Sequence, residues 1–234
     1  MPELIRWEAP GPYDVAFSTR TGGVSTGPFE SLNLGLLTDD DRARVEENRR
    51  RLFAAAGADP DRAAWSRQVH GATVVRARPG ERGAHADALW TDEPHVPLLV
   101  VTADCLPVAL VRRDSDPAVA LVHAGRAGIL AGVLEAAVAA LGGTLAAAVG
   151  PSAGPCCYEV GDDVADPYRA RFGRGVVGGR KLDLWRAAET ALRRAGVHDV
   201  HRMDMCTICN GDRFFSHRRD RGVTGRQGAF AAIR

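Results

Sequence analysis

The chain alternates short, nearly continuous apolar runs with polar or glycine-rich punctuation. Residues 98–102 are apolar at almost every position, the pattern of a strand covered on both faces. Residues 107–112 and 118–123 read as two further strands. Asp114, Ser115, Asp116 and Pro117 between them favour a turn, so the pair is predicted to fold as a hairpin. Shorter strands are predicted over 15–19, 65–69, 72–77, 145–149 and 197–203, with a last apolar strand at the C-terminus. Helical spacing marks 39–56, where Val45, Leu52 and Phe53 form the apolar stripe. Asp39, Asp40 and Asp41 lie where the helix dipole favours negative charge, and Gly57 ends the segment. Helices are also expected over 128–141, over 162–172 with an interruption near Pro167, and over 184–195. Residues 79–86 read as a polar loop, 150–160 as a long turn, and the arginines at 49–51 as a solvated helix face. Strands and helices interleave throughout, so the fold class is α/β (or α+β), and the hairpin makes its sheets mixed.

Three residues beside apolar stretches carry the candidate chemistry. They are His70 in Gln68-Val69-His70-Gly71, Cys105 in Thr102-Ala103-Asp104-Cys105-Leu106-Pro107, and His123 in Leu121-Val122-His123-Ala124-Gly125. Two imidazoles and a thiolate suit zinc, and three protein ligands leave a fourth position for water or substrate. The ligands are far apart in sequence, and a small buried thiol with two strand-end histidines would read the same way. The hairpin favours the metal: antiparallel pairing of 107–112 with 118–123 brings the start of one strand, near Cys105, beside the end of the other, near His123. Cys206 and Cys209 form one C-x-x-C pair, with no second such pair to complete a four-ligand site.

Composition narrows the partners. The chain has 234 residues, 45% of them hydrophobic, and a formal net charge of +1, so neither disorder nor a basic nucleic-acid surface is indicated. One domain over 1–234 accommodates that length. Nearly all basic residues are arginine, with Lys181 the only lysine. The first residues show no secretory signal and no apolar run is long enough to span a membrane, so a soluble cytoplasmic protein is expected. Five cysteines in such a chain argue for thiols and metal ligation rather than a disulfide framework. Gly22-Gly23 would let the backbone approach a ligand, and Arg20, at the end of the strand before it, could hold an anion.

Several segments, taken together and in order, resemble the laccase-domain or polyphenol-oxidase-like family, also described as multifunctional purine nucleoside phosphorylases and peptidoglycan-editing factors. They include residues 18–25, 32–35, 68–71, Ala86-Asp87-Ala88-Leu89, 102–107, His123-Ala124-Gly125, 150–152, 157–161 and Ser216-His217-Arg218-Arg219-Asp220. The resemblance implies a single laccase domain, with a fold like the cytotoxic-necrotizing-factor catalytic domain. It also implies His70, Cys105 and His123 as ligands of zinc, with copper as an alternative, and places Arg20, Asn33 and Arg218 among the polar positions around the cleft. The chain departs from the family after His123. The family has His-Ala-Gly-Trp-Arg-Gly, and here the sequence is His123-Ala124-Gly125-Arg126-Ala127-Gly128.

The function expected on this basis is a zinc enzyme acting on purine nucleosides. It would phosphorolyse adenosine, inosine or methylthioadenosine with phosphate held by Arg20 and Arg218, and deaminate adenosine with Asp104 as a candidate proton shuttle. Adjacent strand residues face opposite ways, so Asp104 reads equally as a structural carboxylate. The alternatives are a copper-dependent polyphenol oxidase, a metal-assisted hydrolase editing peptidoglycan precursors, and a non-enzymatic metal-binding protein. Seven histidines with no His-x-His pair are sparse for a multi-copper centre.

Overall fold

The computed structural model describes residues 1–114 and 116–234; Ser115, one of the expected turn formers, lies outside the described residues. Two six-stranded mixed sheets dominate. The first contains β1 (Leu4–Trp7), β2 (Tyr13–Ser18), β3 (Ala64–Arg67), β5 (Arg82–His85), β7 (Leu98–Thr102) and β14 (Gln227–Ile233), in the order β1-β2-β14-β7-β3-β5. The second contains β4 (Val74–Arg76), β6 (Ala88–Thr91), β8 (Leu106–Arg112), β9 (Val119–Ala124), β10 (Leu145–Val149) and β13 (Asp199–Arg202), in the order β13-β10-β8-β9-β6-β4. A two-stranded ribbon joins β11 (Val177–Gly178) to β12 (Lys181–Leu182). The helices are α1 (Arg42–Ala56), α2 (Arg126–Ala131), α3 (Val133–Leu141), α4 (Asp162–Phe172) and α5 (Leu184–Arg194). No helix among the described residues is long and apolar enough to cross a membrane.

The period of two along each strand sorts the core into three layers. Leu98 and Val100 of β7 pack with Ala109, Val111, Val119 and Leu121 of the second sheet, so the two sheets bury one another's inner faces. The alternate residue Leu99 faces the other way, joining Phe230 against Leu52 and Phe53 of α1. On the far side, Val108, Leu110, Ala120 and Val122 meet α3, α4 and α5. The central strands are therefore covered on both faces, as their unbroken apolar sequence requires.

The predicted hairpin is present, with β8 and β9 antiparallel and Pro107 opposite His123. Helix α1 begins at Arg42 behind an Asp41 cap and ends at Gly57, whose φ of 70° only glycine adopts freely. The single helix expected over 128–141 is two helices, because Gly132 at φ 89° breaks it. Pro167 lies inside α4 without ending it. The polar stretch at 79–86 contributes an edge strand, β5, whose alternation is too weak to register in sequence. Gly23 makes its close approach to the chain itself and not to a ligand: a Cβ there would stand 2.2 Å from Ser31 O and 2.5 Å from Asn48 Oδ1.

Candidate metal centre

Three connections pass from the first sheet to the second, and the site is built on them. Residues 68–73 join β3 to β4, residues 86–87 join β5 to β6, and residues 103–105 join β7 to β8. These crossings deliver His70, Asp87 and Cys105, and the end of β9 delivers His123. The ligand atoms of His70, Cys105 and His123 all lie within 4.8 Å of one another. The two imidazoles stand edge to face, 4.7 Å between centroids, and Cys105 Sγ is 3.8 Å from His70 Nε2.

Two strained backbone positions aim the ligands. His70 has φ 60° and Asp104 has φ 81°, left-handed values uncommon outside glycine. Asp87 holds the first of them. Its carboxylate, fully buried, accepts the backbone N–H groups of Val69 (3.2 Å), His70 (2.9 Å) and Gly71 (2.7 Å). The same carboxylate meets His123 Nδ1 at 2.8 Å, which fixes that ring so that Nε2 is the free donor, the usual outer support of a metal-binding imidazole. Gly125 completes the floor. A Cβ there would fall 2.8 Å from His70 Cδ2 and 3.2 Å from Cys105 Sγ, so the glycine leaves room for the ligands.

The electrostatics favour a thiolate. Burial pushes the Cys105 thiol up, but hydrogen bonds from His123 and His70 outweigh it and bring it down to about 6. Burial likewise opposes charge on His123, and Asp87 and Cys105 overcome that, raising it to about 9. A thiolate and two imidazoles that converge on one point fit a thiophilic, nitrogen-loving ion such as zinc. In the metal-free protein the Cys105 contribution to stability is lost as pH falls through about 6, and that of His123 as pH rises through about 9. Chelator-treated protein is accordingly expected to alkylate at Cys105 with a half-maximal rate near pH 6, against about 8.5 for an ordinary thiol. Peptide mapping after iodoacetamide reads this directly; a midpoint above 8 would mean that the imidazoles do not hold the thiolate.

The centre opens into a cavity of about 540 Å³, whose wall includes Arg49, Trp65, Gln68, Tyr158, Arg218 and Arg226. Gln68 is clamped to Val101 by two hydrogen bonds, 2.7 Å and 3.0 Å, which tie the His70 loop to β7. Arg218 lies over the Tyr158 ring at 4.9 Å.

Not every expected cleft residue takes part. Arg20 does not line the cavity; its guanidinium donates to Glu30 O (2.7 Å) and Gly211 O (2.9 Å) and lies over Phe215. Asn33 is fully buried and accepts from Gly35 N (3.0 Å) and Arg226 N (2.8 Å), so it positions the backbone of a cavity residue. The Asp104 carboxylate accepts from Thr207 Oγ1 (2.6 Å), Ser216 Oγ (3.1 Å) and Arg218 N (2.7 Å), and is thereby committed to bracing the segments around Cys105. Arg126 opens α2, is exposed, and lies outside the cavity lining.

Conversely, Arg49 is no surface residue. It is buried, donates to Leu34 O at 2.9 Å, and stacks over Trp65. Its place four residues after Val45 and three before Leu52 put it on the apolar stripe of α1, a signal present in the sequence. Asp87, flanked by Ala86, Ala88 and Leu89, lay within one of the resembling segments, but no residue pattern assigned it a role beyond that of a carboxylate in apolar surroundings.

Comparison with known proteins gives the family of the chain. The chain is 42% identical to the purine nucleoside phosphorylase PA4543 of Pseudomonas aeruginosa over 97% of its own length and 95% of that protein's. The crystal structure of YlmD from Geobacillus stearothermophilus superposes with a TM-score of 0.88 at 35% identity, covering 99% of this chain and 96% of that one. YfiH from Bacillus licheniformis does so with a TM-score of 0.90 at 28% identity, covering 95% and 93%. Residues 14–234 match the family described as multi-copper polyphenol oxidoreductase laccase, and with these relatives spanning nearly the whole sequence the chain belongs to that family.

Proposed function

We propose that the chain is a zinc-dependent purine nucleoside phosphorylase whose ion is held by His70, Cys105 and His123. The observation that carries this reading is that one cavity holds both a nitrogen and sulfur donor set and a group of guanidiniums. Arg49, Arg218 and Arg226 share the cavity with the trio, and Arg49 Nη1 is buried without a hydrogen-bond partner. Burial, followed by the charges of Arg82 and Arg42, lowers the Arg49 guanidinium to about 10. A buried cation with an unused donor is costly until an anion reaches it, and inorganic phosphate matches the guanidinium fork. Trp65 and Tyr158 add aromatic rings to the same wall, Trp65 under Arg49 and Arg82 and Tyr158 under Arg218. The name of the Pseudomonas relative supports the same class.

In phosphorolysis a phosphate oxygen bonds to ribose C1′, the C1′–N9 bond breaks, and the departing purine takes up a proton. Zinc at the trio would supply Lewis acidity at neutral pH. The guanidiniums hold and orient phosphate, and the walls shield the reacting bond from water. Adenosine deamination is the second activity to test; its expected shuttle, Asp104, is engaged elsewhere. Oxygen-reducing copper chemistry draws on several histidine-bound coppers, whereas the described residues gather ligands at two places, one with two histidines and one with none.

Incubating the protein with adenosine or inosine, with and without phosphate and chelator, separates these outcomes by chromatography. Free base and ribose 1-phosphate should form only with phosphate present and chelator absent. Inosine formed from adenosine without phosphate would show deamination, and an unchanged nucleoside in every condition would overturn the reading. Arg49→Met is expected to raise the KM for phosphate about 10–100-fold, the size of a hydrogen bond to a charged group, with a smaller effect on kcat. An unchanged phosphate KM would remove Arg49 from the phosphate site.

A further inference from the structure

Outside the described centre, one cluster of ligating side chains stands apart. The sulfurs of Cys156, Cys157, Cys206 and Cys209 all lie within 4.8 Å of one another. Cys209 Sγ is 3.3 Å from that of Cys156 and 3.0 Å from that of Cys157. The sequence has no second C-x-x-C; the fold supplies the missing half from two adjacent cysteines. They sit in a tight turn closed by the N–H groups of Cys157 and Tyr158 on Gly154 O, both 3.0 Å. Cys206 and Cys209 sit in a second turn, closed by Asn210 N on Cys206 O at 3.2 Å. The two turns are bound edge to edge: Ser152 N donates to Met205 O (3.1 Å) and Thr207 N to Ser152 O (3.0 Å). Gly154 permits the contact, since a Cβ there would lie 3.1 Å from Cys206 Cβ and 2.5 Å from Trp185.

We propose that Cys156, Cys157, Cys206 and Cys209 bind one structural zinc ion. Zinc–sulfur bonds of about 2.3 Å in a tetrahedron put sulfurs about 3.8 Å apart, and the observed cluster needs only small adjustments to reach that. One sulfur lying beside two others is the arrangement of a shared ion; a disulfide joins a single pair. An iron–sulfur cluster would interpose an inorganic core and spread the sulfurs further. The backbone supports thiolate charge, because Gly154 N–H points at Cys206 Sγ at 3.3 Å. Four protein ligands fill the coordination sphere, so the ion does no chemistry on substrate.

The role follows from what the second turn holds. Thr207, between the two cysteines of that turn, donates to the Asp104 carboxylate at 2.6 Å, and Asp104 precedes Cys105. Arg219 donates to Thr207 O at 2.8 Å. The ion therefore clips the turn after β10 to the turn after β13, and through Thr207 it steadies the strained residue that presents Cys105. This inference does not depend on the substrate proposed above.

The test separates the two centres by metal content. Protein purified under reducing conditions with zinc should hold about two zinc ions per chain, Cys105→Ala about one, Cys209→Ala about one, and the double variant none. X-ray absorption of the Cys105→Ala protein should show four sulfur neighbours at about 2.3 Å and no imidazole. That measurement needs no change at the four cysteines, so it decides the matter even where Cys209→Ala fails to fold. Zinc-free Cys105→Ala protein, two disulfides in the denatured, unreduced chain, or an iron–sulfur absorption spectrum would each overturn the proposal.

Discussion

Replacing Cys105 by alanine is expected to empty the centre formed with His70 and His123 and to lower phosphorolysis more than 100-fold. Of the three candidate ligands the thiolate is the only anionic one, and it lies at the crossing from β7 to β8 where no neighbouring carboxylate can take its place: Asp104 is bound by Thr207, Ser216 and Arg218, and Asp87 by His123 and the backbone of Val69, His70 and Gly71. Loss of an outer support costs a metal site roughly 10–100-fold in affinity, and loss of a ligand should exceed that. The fold should survive, because Cys105 is partly exposed to the cavity and is not packed in the core. Equilibrium dialysis with zinc, circular dichroism and the nucleoside assay together check this. Intact metal content with lost activity would mean that the thiol takes part in the reaction and is not a ligand.

The second large effect is expected at Asp87. Alanine there leaves the partly buried N–H groups of the His70 loop and the buried His123 Nδ1 without their acceptor. Each unpaired buried donor costs about 1–3 kcal/mol, so a loss of about 3 kcal/mol or more is expected. At about 2–4 °C per kcal/mol for a chain of this size, Tm should fall by about 6–12 °C. Asp87→Asn is the finer probe. Oδ1 serves His123 and His70 while Oδ2 serves Gly71, so an amide nitrogen at either position faces a donor. An amide facing His123 Nδ1 would also favour the tautomer with the proton on Nε2, the wrong one for ligation. Zinc affinity should fall about 10–100-fold and the thiolate midpoint of Cys105 should rise, because His123 would no longer be held charged. Unchanged affinity in Asp87→Asn would show that loop geometry alone, without tautomer control, supports the metal.

These two residues mark how far the sequence can be read. Cys105 and His123 could be paired from a local hairpin, because antiparallel pairing across a short turn fixes which residues lie opposite, and Pro107 does face His123. His70 is separated from them by a whole sheet crossing; its residue type and strand-end position made it the third candidate, and no local pairing supported its meeting the other two, so that support came from the chain-wide resemblance. Asp87 carried no local signal of its partners, since the four groups bonded to its carboxylate belong to residues 16–36 positions away. Arg49 was misread because a run of three arginines suggests solvent, whereas helical periodicity puts only the first of them on the buried stripe. Gly132 was read through as part of one helix, although its left-handed conformation splits the segment in two.

By itself the sequence determined the mixed α/β architecture, the central apolar strands, most helix ends and the types of ligand available, all of which follow from periodicity, capping and side-chain chemistry within a few residues. The tertiary structure decided the direction of side chains at the sheet crossings. It turned Asp104 into the protein and Arg49 to the cavity wall, placed Asp87 beneath His70 and His123, and gathered four cysteines from two turns. Those outcomes depend on left-handed backbone angles and on hydrogen bonds between segments far apart in the chain, and no local pattern of residues encodes either.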